Sequence, residues 1–123
     1  MDIEFFNHEP RRRYAKACRV GNTLYLAGED SKDAVTQEVR GKDVSEQLKY
    51  LFESLSKTLE ELGSSLEYIV KVTIYLKKRE DRPEYAKEWG KYLPHGPPST
   101  LVMGVDLAEP EMLVEVDAIA VIL

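Results

Sequence analysis

A two-layer α+β fold is the class predicted for this chain of 123 residues, on three observations. Apolar side chains recur at helical spacing in one long segment, alternate with polar ones in others, and the inferred strands and helices interleave along the chain. At this length one hydrophobic core is expected, so residues 1–123 should form one domain.

The first strands lie in KACRVGNTLYLAG, residues 16–28, and turn at Gly21-Asn22, since a Gly-X pair suits a two-residue hairpin. EDSKDAVTQEVRGK follows with many charges and no clean period, and is expected to be a loop with a short strand around Val39. From Asp43 the pattern becomes helical: Val44, Leu48, Leu51, Leu55, Leu59 and Leu62 form one stripe. Asp43 and Glu46 have capping-box spacing, and Gly63 is placed to end the helix.

GSSLEY reads as a single helical turn, after which Val70, Val72, Ile74 and Leu76 alternate with polar partners in a half-buried strand. A second helix is marked by Asp81 and Glu84, again at cap spacing, by Pro83 in its first turn and by Pro94 at its end. Its stripe of Tyr85, Trp89 and Tyr92 either packs the helix onto a sheet or lines a ligand site, with Trp89 the candidate contact. Thr100 to Val105 and Met112 to Leu123 complete the strands, separated by DLAEPE with a turn at Pro110. Both helices are expected to cover one face of a mixed sheet.

Composition narrows the function. A formal charge of -5 disfavours a phosphate backbone as partner, because such binding is driven by counterion release around a basic surface. The basic run Arg11-Arg12-Arg13 reads as a solvated segment, so no nucleic acid is expected. Cys18 stands alone and fits a reducing compartment, making a cytoplasmic location the expectation. Neither a signal-peptide core nor an apolar run long enough for a membrane span is present in the sequence. His8, His95 and Cys18 lack the close spacing of a zinc site, so neither a metal nor another cofactor is expected.

Candidate chemistry gathers near the end of the chain. Glu115 and Asp117 share a strand face with Ile119, Val121 and Leu123. They are therefore either carboxylates half-buried beside apolar groups, with pKa values suited to acid-base work or water positioning, or rim residues that meet water. Gly28-Glu29-Asp30 follows a strand and is placed to offer backbone N–H groups to a ligand carboxylate. HGPPSTLVM, residues 95–103, brings a rigid double-proline loop to a strand whose mouth carries only Ser99 and Thr100. No base in the sequence partners these hydroxyls as a nucleophile requires. His95 reads as an exposed loop histidine or a proton carrier.

GNTLYLAGED, ELGSSLEYIVKVTIYL, WGKYLPHGPPST and MLVEVDAIAVIL, in this order, resemble the successive signatures of the Rid proteins, the reactive intermediate deaminases, a family also labelled endoribonuclease L-PSP. The likeness runs from about Tyr14 to the carboxyl terminus. It implies a chorismate-mutase-like subunit with two helices on one face of a mixed sheet, assembled as a homotrimer with small-molecule clefts between subunits. It also implies hydrolysis of enamines and imines, such as 2-aminoacrylate and 2-iminobutanoate, to 2-oxo acids and ammonia. Glu115 matches the glutamate that orients the water, Tyr14 the cleft tyrosine and Gly28 the glycine whose backbone lines the site, while backbone groups near Gly28 and Val102 would hold the nitrogen end.

One departure stands out. Active deaminases of this kind carry an arginine where the present chain has Thr100, or Ser99 in an alternative register. Its planar fork holds the substrate carboxylate by two charge-assisted hydrogen bonds. Arg12, Arg13 or Lys16 are the candidates to supply the missing charge. Two functions follow as expectations: an imine or enamine deaminase using Glu115 and Thr100, or a trimeric metabolite-binding module without turnover. A ribonuclease is disfavoured by the charge.

Overall fold

The computed structural model describes residues 2–7 and 13–123. Its strands are β1 (Ile3–Phe6), β2 (Ala17–Val20), β3 (Thr23–Leu26), β4 (Ile69–Leu76), β5 (Ser99–Met103) and β6 (Val114–Val121). The helices are α1 (Val44–Glu61) and α2 (Arg82–Tyr92). The strands form one six-stranded mixed sheet in the order β1-β2-β3-β6-β4-β5, with only β4 and β5 parallel. Both helices lie on one face of it, the α+β arrangement the sequence predicts.

Strand β1 is the element the sequence reading lacks. Its four residues are too short to show a period, and its pairing partner, the β2 segment, lies eleven or more residues further along the chain. The hairpin turns at Gly21-Asn22 as expected, and Lys32 pairs with Val39 in an isolated bridge.

Helix α1 starts where Asp43 accepts the Glu46 N–H at 2.8 Å. The returning Glu46 carboxylate accepts from Lys42 N–H at 2.8 Å, one residue earlier than in a capping box. The other end closes with the N–H groups of Gly63 and Ser64 on the carbonyls of Glu60 and Leu59, Gly63 adopting φ +84°. This is the glycine-dependent Schellman stop. Leu48, Leu51, Leu55 and Leu59 are fully buried against the sheet.

Two expectations are corrected here. Asp81 makes no side-chain cap, because residues Arg79–Asp81 already form a 3-10 turn and Asp81 itself is helical. Glu84 turns instead to α1, where its carboxylate accepts from the Ser45 N–H at 2.8 Å and the Ser45 hydroxyl at 2.7 Å. An orphan donor of one helix is thus satisfied by the other. In β4 the register shifts between Ile69 and Lys71, so Ile69 takes the buried place and Val70 is left 43% exposed.

The aromatic stripe of α2 packs on helix α1. Phe52 stacks on Tyr92 with ring centroids 4.4 Å apart, meets Trp89 edge-on at 5.4 Å, and Tyr85 lies 5.3 Å from Trp89. Trp89 therefore belongs to the helical layer.

Candidate active site

Alternation along β6 sends Val114, Val116, Ala118 and Ala120 into the core and Glu115, Asp117, Ile119 and Val121 to the face opposite the helices. Buried Gln47 anchors the approach to that strand. Its amide donates to the carbonyls of Gly41 and Glu111 at 3.2 and 2.9 Å and accepts the Leu113 N–H at 2.8 Å, two residues before Glu115. Such a fully satisfied network fixes where β6 begins.

Glu115 is half-buried, and its pKa is raised above the usual carboxylate range. Desolvation is the leading cause, the negative charges of Asp30 and Asp117 add to it, and Lys32 partly opposes them. Asp117 is exposed and raised by desolvation. Between the two sequence alternatives, Glu115 takes the half-buried place and Asp117 the rim.

Gly28 is the close neighbour of Glu115. A β-carbon on Gly28 would lie 2.6 Å from a Glu115 carboxylate oxygen, so only glycine leaves the carboxylate where it stands. Tyr14, 43% exposed, lines the same region. A cavity of about 390 Å³ opens beside Gly28, lined by Tyr14, Lys16, Glu29 and Asp30 but not by Glu115.

The Glu29 backbone is already committed. It exchanges two hydrogen bonds with Val116, at 2.7 and 2.9 Å, so its N–H is not free for a ligand, contrary to the expectation for Gly28-Glu29-Asp30. The Asp30 side chain accepts from the Lys32 N–H in a local turn. The Glu29 carboxyl is buried and pushed up to about 7, burial outweighing the ammonium of Lys16 at 3.7 Å. Lys16 is thus already paired. Arg12 lies outside the described residues, and Arg13 is exposed.

Thr100 pairs with Thr73, which pairs with Asp117, so Thr100 projects from the open sheet face. Val102 stands in the row of Tyr75 and Glu115 on that face. Ser99, paired with Val72, points to the helix side. Register therefore favours Thr100 over Ser99 as the site position. Yet β4 lies between β5 and β6, which separates Val102 from Glu115 in their shared row by two strand spacings, roughly 10 Å, and sets Thr100 two residues further along the strand. The predicted residues form two groups in one chain: Tyr14, Gly28 and Glu115, and Thr100 with Val102. Trp89, on the helical side, joins neither.

His95 is exposed in its loop, and its Nε2–H donates to the Ile69 carbonyl at 2.9 Å. Pro98 gives its carbonyl to the Val72 N–H at 3.0 Å, tying the double-proline loop to β4. Among the described residues no group of three or more His, Cys, Asp and Glu could hold a metal ion, and no helix is long and apolar enough to cross a membrane. The residue missed in the sequence is Lys71, whose ammonium donates to the Thr100 hydroxyl oxygen at 3.2 Å. Only strand pairing could reveal it.

Two helices on one face of a six-stranded mixed sheet, with a half-buried glutamate held against a strand-end glycine, define a small α+β protein with a candidate acid-base site. The chain belongs to the family described as Endoribonuclease L-PSP, whose profile it matches over residues 6–122. It is 34% identical over 112 residues to a RutC family protein of Pyrococcus abyssi, covering 91% of this chain and 88% of that one. It is 25% identical to the 2-iminobutanoate/2-iminopropanoate deaminase of Dermatophagoides farinae, covering 93% and 89%. A crystal structure of a YjgF-family protein from Neisseria meningitidis matches with a TM-score of 0.86 at 27% identity, over 100% of this chain and 97% of that one.

Proposed function

We propose that this protein is a cytoplasmic homotrimer that hydrolyses small imines and enamines to carbonyl compounds and ammonia in clefts between copies. The observation that carries the reading is Glu115, a half-buried carboxylate of raised pKa held against Gly28. Such a group takes a proton from water more readily near neutral pH than an ordinary glutamate does. The water oxygen bonds to the imine carbon while Glu115 accepts its proton. The nitrogen takes that proton from the Glu115 carboxyl as its π bond opens; the carbinolamine then passes its O–H proton, through Glu115, to the nitrogen and collapses to a carbonyl and ammonia, and an enamine first takes a proton from water at its β-carbon to become the iminium.

The separation of the two residue groups supports the trimer. Groups roughly 10 Å apart cannot hold one small substrate, whereas Thr100 and Val102 of one copy set against Tyr14, Gly28 and Glu115 of another could. The open sheet face also carries Ile3, Phe5 and Tyr25, exposed by 56%, 66% and 47% in the isolated chain. Such a patch suits burial against other copies.

Ammonia release from imines generated in place from several amino acids tests the reading. Acceleration that falls by about a hundredfold or more in Glu115→Gln is expected for a positioned proton acceptor. No acceleration on any imine would leave the metabolite-binding module, the second reading, which Thr100 in the arginine position favours. RNA cleavage abolished by Glu115→Gln would instead revive the ribonuclease reading, against which the charge of -5 argues.

A further inference from the structure

We infer that Lys71 and Thr100 together form the anion-binding end of the cleft, making Lys71 a specificity-determining residue for carboxylate-bearing ligands; this rests on the proposed site. The sheet places the pair. Lys71 lies opposite Ile119 on β6 and shares its face with Thr73, the pairing partner of Thr100.

The Lys71 ammonium has three N–H donors. One goes to the Val72 carbonyl at 3.1 Å and one to the Thr100 hydroxyl oxygen at 3.2 Å, which leaves the third. Among the described residues no carboxylate comes within 4 Å of this ammonium, so the charge has no counter-ion. Asp117, the acid in the row of Thr100, does not reach it. The neighbouring cationic candidates are committed elsewhere: Lys16 to Glu29, and Lys32 within 4.0 Å of Asp30 and Glu109.

Because Thr100 accepts from an ammonium, its own proton is free to point outward. The third N–H of Lys71 and the Thr100 O–H are then two donors beside each other at the mouth of β5. A carboxylate takes two donors in this arrangement, as it would from a guanidinium, with one formal charge behind them. The cation is carried by the neighbouring strand and not by the residue at the arginine position. Small 2-oxo acids and their imines are the class that fits.

Titration of the intact oligomer with 2-oxobutanoate, followed by calorimetry, reads this directly. Lys71→Met is expected to weaken binding about ten- to a hundredfold, while Lys71→Arg, which keeps the charge, stays within a few fold of the parent. Thr100→Val, which keeps the shape and removes the second donor, weakens it several fold. Neutral 2-butanone should bind all forms alike. On a turned-over imino acid the Lys71→Met effect falls on KM more than on kcat. Equal 2-oxobutanoate affinity in the parent and Lys71→Met overturns the inference, as does a parent that binds none. Binding that depends on Lys71 in a protein releasing no ammonia from any imine would retire the deaminase reading and leave the anion site standing.

Discussion

Gly28 and Glu115 meet so closely that a methyl group on the glycine would stand 2.6 Å from a carboxylate oxygen. Because the contact is with the free end of a side chain, Gly28→Ala should fold, its cost held to about 1 kcal/mol. The carboxylate must swing away, and a displacement of that size costs on the order of a hundredfold in rate. Imine hydrolysis measured beside thermal unfolding checks this; unchanged turnover in a folded Gly28→Ala protein would detach the glutamate's position from the chemistry.

Glu29 makes stability fall as pH rises. Its folded pKa of about 7 exceeds the reference 4.5, so the native state holds the proton more tightly than the unfolded chain does. The stabilisation is complete below pH 4.5 and is lost as pH climbs to 7, by about 3 kcal/mol in all. Glu29→Gln, which cannot ionise, is expected to match the parent at pH 4 and exceed it at pH 8. Urea unfolding at the two pH values decides; an equal difference at both would assign the effect to packing.

Thr100 is exposed near the start of β5. Thr100→Arg should raise kcat/KM for 2-iminobutanoate about tenfold or more, since a bidentate guanidinium replaces a split pair of donors. Steady-state kinetics on both proteins is the measurement. A loss of activity would mean that the cleft is shaped around the threonine.

Ile119 lies on the open sheet face beside Tyr25 and Lys71. Sedimentation of the parent should give three times the chain mass of 14.1 kDa, and Tyr25→Asp should give single chains, because Tyr25 has Cys18 and Ile119 as its cross-strand partners and a carboxylate there would be buried without a cation. Turnover should disappear with the assembly. A monomeric parent, or a monomeric variant that still turns over, would confine the site to one chain.

Local periodicity determined the two helices and the inward and outward faces of β6, and the Gly21-Asn22 pair determined the hairpin turn, since these depend on residues a few positions apart. It also placed Glu115 on a face shared with apolar groups. β1 escaped because four residues set no period, the inward position of Ile69 because a bulge breaks alternation, and the seat of Trp89 because its partner Phe52 is on another helix. Tertiary structure alone decided that Gly28 abuts Glu115, that Thr100 and not Ser99 shares the carboxylate face, and that Lys71 reaches Thr100. Each of these joins strands far apart in sequence, and register between strands is set by pairing across the sheet, which spacing within one strand does not encode.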